Sequence, residues 1–161
     1  MKASLLSIGV LVTVATLAIG LNSALAANHT ASRGVTVAVG SSSLGRILVD
    51  GHGRTLYLFA KDKHGKSACR GRCASYWPPL ITAGRPRAKA GAKAALLGTT
   101  RRADGRLQVT YNHHPVYAFV KDTKKGQTNG EGLNVFGARW YAVSPAGSKI
   151  KAATSGGGYG Y

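Results

Sequence analysis

The sequence predicts an all-β, mainly antiparallel fold of two tandem three-stranded meanders packed as one domain. Three observations carry that reading. The hexapeptide "YLFAKD" at residues 57–62 returns as "YAFVKD" at 117–122, a spacing of 60 residues. Each copy is preceded by two further β-prone runs split by turn residues. Each is followed by a tryptophan, Trp77 after 20 residues from Tyr57 and Trp140 after 23 from Tyr117. Agreement of several features at one long period marks an internal duplication.

Taken in order, repeat one reads "VTVAV", a Ser-Gly turn, "GRILVD", a Gly-His-Gly turn and "RTLYLFAKD". Repeat two reads "LLGTTRR", an Ala-Asp-Gly turn, "RLQVTY", an Asn-His-His turn and "PVYAFVKD". Alternate residues of a strand share a face, so Tyr57 and Phe59 oppose Leu56 and Leu58, and Tyr117 and Phe119 oppose Val116 and Ala118. Both faces are apolar, which predicts central strands covered on two sides. Trp77 in "SYWPPL" and Trp140 in "RWYAV" are expected in further strands. Residues 83–95, rich in Ala, Gly and basic side chains, form a linker with room for a short helix near Ala92–Leu97. Three short strands bury too little to stand alone, so repeat one (35–82) and repeat two (96–145) are expected to fold together.

The ends are of another kind. Met1-Lys2, the apolar run Leu5–Leu21 and Ala24-Leu25-Ala26 spell an export signal with cleavage after Ala26. Residues 27–34 and the Gly/Tyr-rich 146–161 are expected to be flexible. Removing 26 of 161 residues leaves 135, with a formal charge of +16 from 21 basic and 5 acidic residues. No transmembrane segment is expected after cleavage. The chain is expected to be secreted, periplasmic or attached to the cell envelope after bacterial-type export.

Over Val35–Pro145 the duplicated Y-x-[FWY]-x-x-D element, "CRGRCASYWPPL" and "GQTNGEGLNVFGARWYAVSP" resemble the secreted-repeat family, whose members are described as predicted lipoproteins. The resemblance implies an exported repeat protein and assigns no chemistry. A lipoprotein carries a cysteine directly after its signal, whereas the first cysteine here is Cys69, so a soluble or envelope-adsorbed protein is expected.

Several residues invite a chemical reading. Asp62 and Asp122 follow their strands, where a carboxylate accepts backbone N–H groups two residues on and closes a turn. The competing reading is a carboxylate pair that moves protons or binds metal, disfavoured by Lys61 and Lys121, which would keep both ionised. Cys69 and Cys73 are expected to form a short disulfide worth about 2–3 kcal/mol or less. Arg70 and Arg72 between them leave a redox-active thiol pair as the alternative. His113-His114-Pro115 reads as a hairpin turn before a metal pair, because neighbours in a strand face opposite sides. "GQTNGEG" lacks the Gly-Lys-Ser/Thr ending of a phosphate loop and the acids of a calcium loop. No nucleophile signature is present.

The basic residues remain. Lys61, Lys63, Lys66, Arg70 and Arg72 crowd the region after the first motif, and Arg85, Arg87, Lys89 and Lys93 form an arm in the linker. The expectation is a non-enzymatic, cofactor-free binding or structural module. It would meet an anionic envelope polymer or membrane surface through charge, without specific nucleic-acid recognition. The alternative is an extracytoplasmic redox or metal-handling protein using Cys69, Cys73 and the histidines.

Overall fold

The computed structural model describes residues 34–150. The expected export signal, residues 27–33 and the chain beyond 150 lie outside the described residues. Strands β1 (Thr36–Ser42) and β2 (Gly45–Asp50) make a hairpin in which Val37 pairs with Asp50 and Ser42 with Gly45. The turn to β3 (Tyr57–Phe59) is closed by Asp50, whose Oδ1 accepts the His52 and Arg54 N–H groups at 2.9 and 3.0 Å. Helix α1 (Arg72–Tyr76), β4 (Ile81–Thr82) and β5 (Arg87–Ala88) complete the first half. The second half holds β6 (Leu97–Arg101), β7 (Leu107–Tyr111), β8 (His114–Pro115), β9 (Asn134–Val135) and β10 (Ala138–Ala142). The fold is β-rich and its strands pair antiparallel throughout, except β1 with β5.

The halves are interleaved. Strand β3 does not pair with the tryptophan segment of its own repeat but with β10, setting Phe59 against Trp140 and Tyr57 against Ala142. Reciprocally, Ala118 donates its N–H to Pro78 O (2.9 Å) and Val120 to Tyr76 O (3.1 Å), so the second motif lies along the first repeat's tryptophan segment. Only the Pro78 carbonyl is needed there, which is why a residue without an N–H fits. At the centre Tyr57 and Tyr117 exchange both backbone hydrogen bonds, at 2.8 and 3.0 Å. Each repeat thus supplies a segment that covers the motif of the other.

Alternation along the motif strands divides the core in two. Tyr57, Phe59, Trp77, Tyr117, Phe119 and Trp140 gather on one side with the cystine. Leu56, Leu58 and Val116 face Val37, Leu48, Val109, Tyr111 and Val143 on the other. All of these side chains are buried, as the doubly apolar strand pattern requires.

Three expectations change. Trp77 is not in a strand: it ends α1, with its N–H bonded to Cys73 O at 2.8 Å, and Pro78-Pro79 stop the helix there. The linker is not a bare connection, because β5 adds to β1 in parallel (Thr36 with Arg87, Val37 with Ala88) and Ala94–Leu96 form one 3₁₀ turn. Residues 146–150 are held rather than loose. Ser144 N–H bonds Ser148 O (2.8 Å) and Ile150 N–H bonds Ala142 O (2.8 Å), extending the sheet past Pro145.

Candidate functional site

The repeated motif forms a pair of crossed locks. Tyr57 Oη donates to Asp122 Oδ2 at 2.5 Å, and Tyr117 Oη donates to Asp62 Oδ2 at 2.7 Å. Each tyrosine therefore bonds the aspartate of the other repeat. The second oxygen of each carboxylate holds a loop: Asp122 Oδ1 accepts Asn129 N–H (2.9 Å) and Asp62 Oδ1 accepts Ala68 N–H (2.8 Å). These contacts correct the expectation of a bond two residues on. The aspartates reach seven and six residues ahead, and the local turn chemistry is carried by Asp50 and by Asp104, whose Oδ1 accepts Arg106 N–H at 3.1 Å.

Between the locks runs a stack of four rings in the order Phe59, Trp140, Trp77, Phe119. Centroid spacings are 4.1, 3.9 and 4.2 Å, with interplanar angles of 8°, 5° and 22°. Tyr57 meets Trp77 edge-on at 5.3 Å and Tyr117 meets Trp140 edge-on at 5.1 Å. The stack alternates between repeats, so its dispersion energy, like the hydrogen bonds, is available only when both halves are folded. Gly130 packs against the edges of Trp77 and Tyr57: a Cβ there would lie 2.6 Å from the Trp77 ring, so only glycine fits.

The two carboxylates differ in setting. Asp122 is 3 % exposed, whereas Asp62 is half-buried and opens onto a cavity of about 540 Å³ beside His64, Lys66, Thr110, His113 and His114. Burial raises the Asp62 carboxyl to about 6, opposed by its bonds to Ala68 and Tyr117 and by the charge of Arg102. Burial also raises Asp122, against the bonds from Tyr57 and Asn129. Both tyrosine hydroxyls are pushed up, first by burial and then by the neighbouring aspartate. Among the described residues the flanking lysines form no ion pair with either acid. Lys61 and Lys121 are exposed, the Lys61 ammonium reaches Phe136 O at 3.4 Å, and desolvation dominates both carboxyls.

Cys69 and Cys73 form a disulfide with a Cα–Cα distance of 5.3 Å, and both are buried. Sequence reasoning missed Arg102, which ties this turn to repeat two. It is buried and donates to Ser67 Oγ (2.8 Å), Gln108 Oε1 (2.6 Å) and Cys69 O (2.7 Å). Nothing local distinguishes Arg102 from the adjacent exposed Arg101, apart from the two-residue alternation of a strand edge. Asn112 and His113 occupy the hairpin turn with φ of 47° and 65°, followed by His114 and Pro115 in β8. The hairpin turn expected of Asn-His-His-Pro is present, but its strand opens at His114 rather than at the proline. The His114 imidazole is held below its ordinary value by burial and by His113. Among the described residues no three or more His, Cys, Asp or Glu side chains are grouped to hold a metal ion. The "GQTNGEG" loop packs inward: Thr55 Oγ1 donates to Gln127 O (2.6 Å) and Glu131 Oε2 accepts Ala142 N–H (2.6 Å).

The family described as a secreted repeat of unknown function matches residues 38–81 and 98–144. The chain belongs to that family. Its two matched segments are the two interleaved halves, and the secreted character of the family agrees with an exported protein. No curated protein and no solved structure matches the chain. Among the described residues no helix is long and apolar enough to cross a membrane.

All nine basic candidates, Lys61, Lys63, Lys66, Arg70, Arg72, Arg85, Arg87, Lys89 and Lys93, are exposed. They are not gathered into one cleft. Lys66 borders the Asp62 cavity, Arg70 a hollow beside Arg106, Arg72 an aromatic groove, and Arg85 a hollow beside β6.

Proposed function

We propose that this secreted repeat protein is a non-enzymatic module that adsorbs to anionic components of the cell envelope. One observation carries the reading: the acids are all used internally. Asp62 and Asp122 serve the crossed locks, Glu131 holds the β10 backbone, and Asp50 and Asp104 pair with arginines beside them. Ion pairs among the described residues engage Arg54, Arg102 and Arg106 alone, so 3 of the 19 Lys and Arg there are paired and 16 are not. An unmatched positive surface of this kind attracts polyanions at long range and releases their counterions on contact.

The buried locks supply rigidity, not chemistry. Each lock carboxylate and tyrosine hydroxyl already has a hydrogen-bond partner within the protein. Binding of soluble polyphosphate, followed as a function of salt, tests the reading. The expected affinity falls by about tenfold or more between low and physiological salt. Neutralising the arm with Arg85→Gln, Arg87→Gln, Lys89→Gln and Lys93→Gln makes that dependence shallower. Absence of binding at low salt, or affinity indifferent to salt, would remove charge as the basis of function.

A further inference from the structure

The exposed large apolar side chains are not scattered. Tyr76, Val120, Leu133, Val135 and Phe136 are the ones exposed by about a third or more among the described residues. Tyr76, Leu133, Val135 and Phe136 line one groove of about 390 Å³, floored by Trp77 and Phe119. Val120 adjoins it, through its N–H bond to Tyr76 O at 3.1 Å. The groove lies between α1 and the β9–β10 hairpin, where Tyr76 of repeat one meets Phe136 of repeat two at 6.1 Å. A cluster of exposed aromatic and branched side chains at an element tip is costly to leave in water and marks a contact surface.

Phe136 adds a second, independent anomaly. It sits at the tip of the β9–β10 hairpin with φ of 59°, a left-handed conformation disfavoured for a bulky residue, followed by Gly137 at 88°. Asn or Gly would relieve that strain, and the ring is not repaid by burial, since 36 % of the residue remains exposed. Strain kept at an exposed tip points to use of the ring by something outside the chain.

The rim is cationic. The Arg72 guanidinium stands 6.0 Å from the Tyr76 ring, Lys121 borders the groove, and the Lys61 ammonium reaches the Phe136 carbonyl. Arg139 flanks the hairpin, donating to Gly132 O at 3.3 Å. None of these four is ion-paired among the described residues. Apolar side chains at a tip ringed by unpaired Lys and Arg are complementary to a surface with hydrocarbon beneath a layer of negative charge. A soluble polyanion satisfies the rim and leaves the apolar tip in water.

We infer that the tip of the β9–β10 hairpin, with Tyr76, is a docking surface for an anionic lipid bilayer, inserting Val135 and Phe136 among the headgroups while Lys61, Arg72, Lys121 and Arg139 meet lipid phosphates. This inference rests on the proposed adsorption to anionic envelope components and specifies the component and the face.

The test is co-sedimentation of the protein with phosphatidylglycerol/phosphatidylcholine vesicles at low and high salt, with polyphosphate binding measured in parallel. The variant is Val135→Ser with Phe136→Asn, because Asn tolerates the left-handed turn and the fold is expected to survive, as checked by thermal melting. Expected results are a vesicle-bound fraction that persists in part at high salt, a loss of about tenfold in vesicle partitioning for the variant, and unchanged polyphosphate binding. Equal vesicle partitioning by variant and parent, or vesicle binding fully abolished by salt, would overturn the docking surface while leaving charge-driven adsorption intact. Failure to bind either vesicles or polyphosphate would overturn both.

Discussion

The two halves share one lock and differ in what covers it. Around Asp122 the loop from Thr123 to Asn129 folds over the end of β1 and the β2–β3 turn of the first repeat: Lys125 packs on Gly53, Gly126 approaches Ser41 O, and Thr55 bonds Gln127 O. Around Asp62 the corresponding loop is shorter, as the spacings of 20 and 23 residues from tyrosine to tryptophan record. It leaves the cavity beside the histidines open, and the loop is secured by the cystine and Arg102 instead. Duplication has thus kept the interior and let the covers diverge, one plugged by its own backbone and one fastened covalently. The interior sets stability, because it is the part that each repeat needs from the other.

Removing the carboxylates one at a time gives the largest contrast. Asp122→Ala strands the buried Tyr57 hydroxyl and removes the acceptor of the part-buried Asn129 N–H. The other recorded neighbour of Tyr57 Oη is the Gly130 N–H at 3.3 Å, which is itself a donor. A loss of about 3 kcal/mol in chemical denaturation is expected. Asp62→Ala leaves Tyr117 Oη an acceptor in Ser67 Oγ at 2.8 Å, and its cavity admits water, so about 1–2 kcal/mol is expected. Equal losses would mean that the difference in cover has no energetic consequence.

The covers themselves come next. Cys69→Ala with Cys73→Ala removes a cross-link that closes a very short loop, and about 2 kcal/mol or less should be lost. Arg102 continues to hold the Cys69 carbonyl, so urea melting should keep its cooperativity. Loss of cooperative folding in this variant would show that the cystine, rather than the crossed locks, organises the first half.

How much of this was legible in the sequence follows from the range of the forces involved. Strand periodicity placed Tyr57, Phe59, Tyr117 and Phe119 on one buried face, because alternation is a local property of the backbone. The Asn112-His113 turn and the Cys69–Cys73 bridge were legible for the same reason. The crossing of tyrosine to the opposite aspartate was not, since the partners lie 65 and 55 residues apart and a repeat pairs equally well on paper with itself or its copy. The lysines beside Asp62 and Asp122 misled for a related reason. Each lysine sits exposed in the turn that its aspartate closes, Asp62 N–H to Phe59 O and Asp122 N–H to Phe119 O, so proximity in sequence conferred no ion pair, and burial raises the carboxyls. Trp77 was misplaced because a one-turn helix held by a cystine leaves no periodic signal. Phe136 reads as an ordinary apolar residue until its φ is known.

Acidity gives the smallest effect and the sharpest comparison. The Asp62 carboxyl rises from 3.8 to about 6 on folding, so the folded protein holds that proton more tightly than the unfolded chain. The resulting stability is fully present below about pH 4 and is lost as pH rises through about 6. The hydrogen-bond chain accommodates the proton: a protonated Oδ2 donates to Tyr117 Oη, which donates in turn to Ser67 Oγ. With Asp62 partly open to solvent, the gain on acidification is about 1 kcal/mol. Asp62→Asn mimics the protonated lock, since its amide can donate to Tyr117 Oη. It should melt near the parent at pH 7 or slightly above, and its stability should change less than the parent's between pH 7 and 5. Asp122→Asn lacks that route, because no second acceptor awaits the Tyr57 hydroxyl, and it should be less stable than the parent at both pH values. A common pH response in the two Asn variants would show that the burial of Asp62 does not carry the pH dependence of stability.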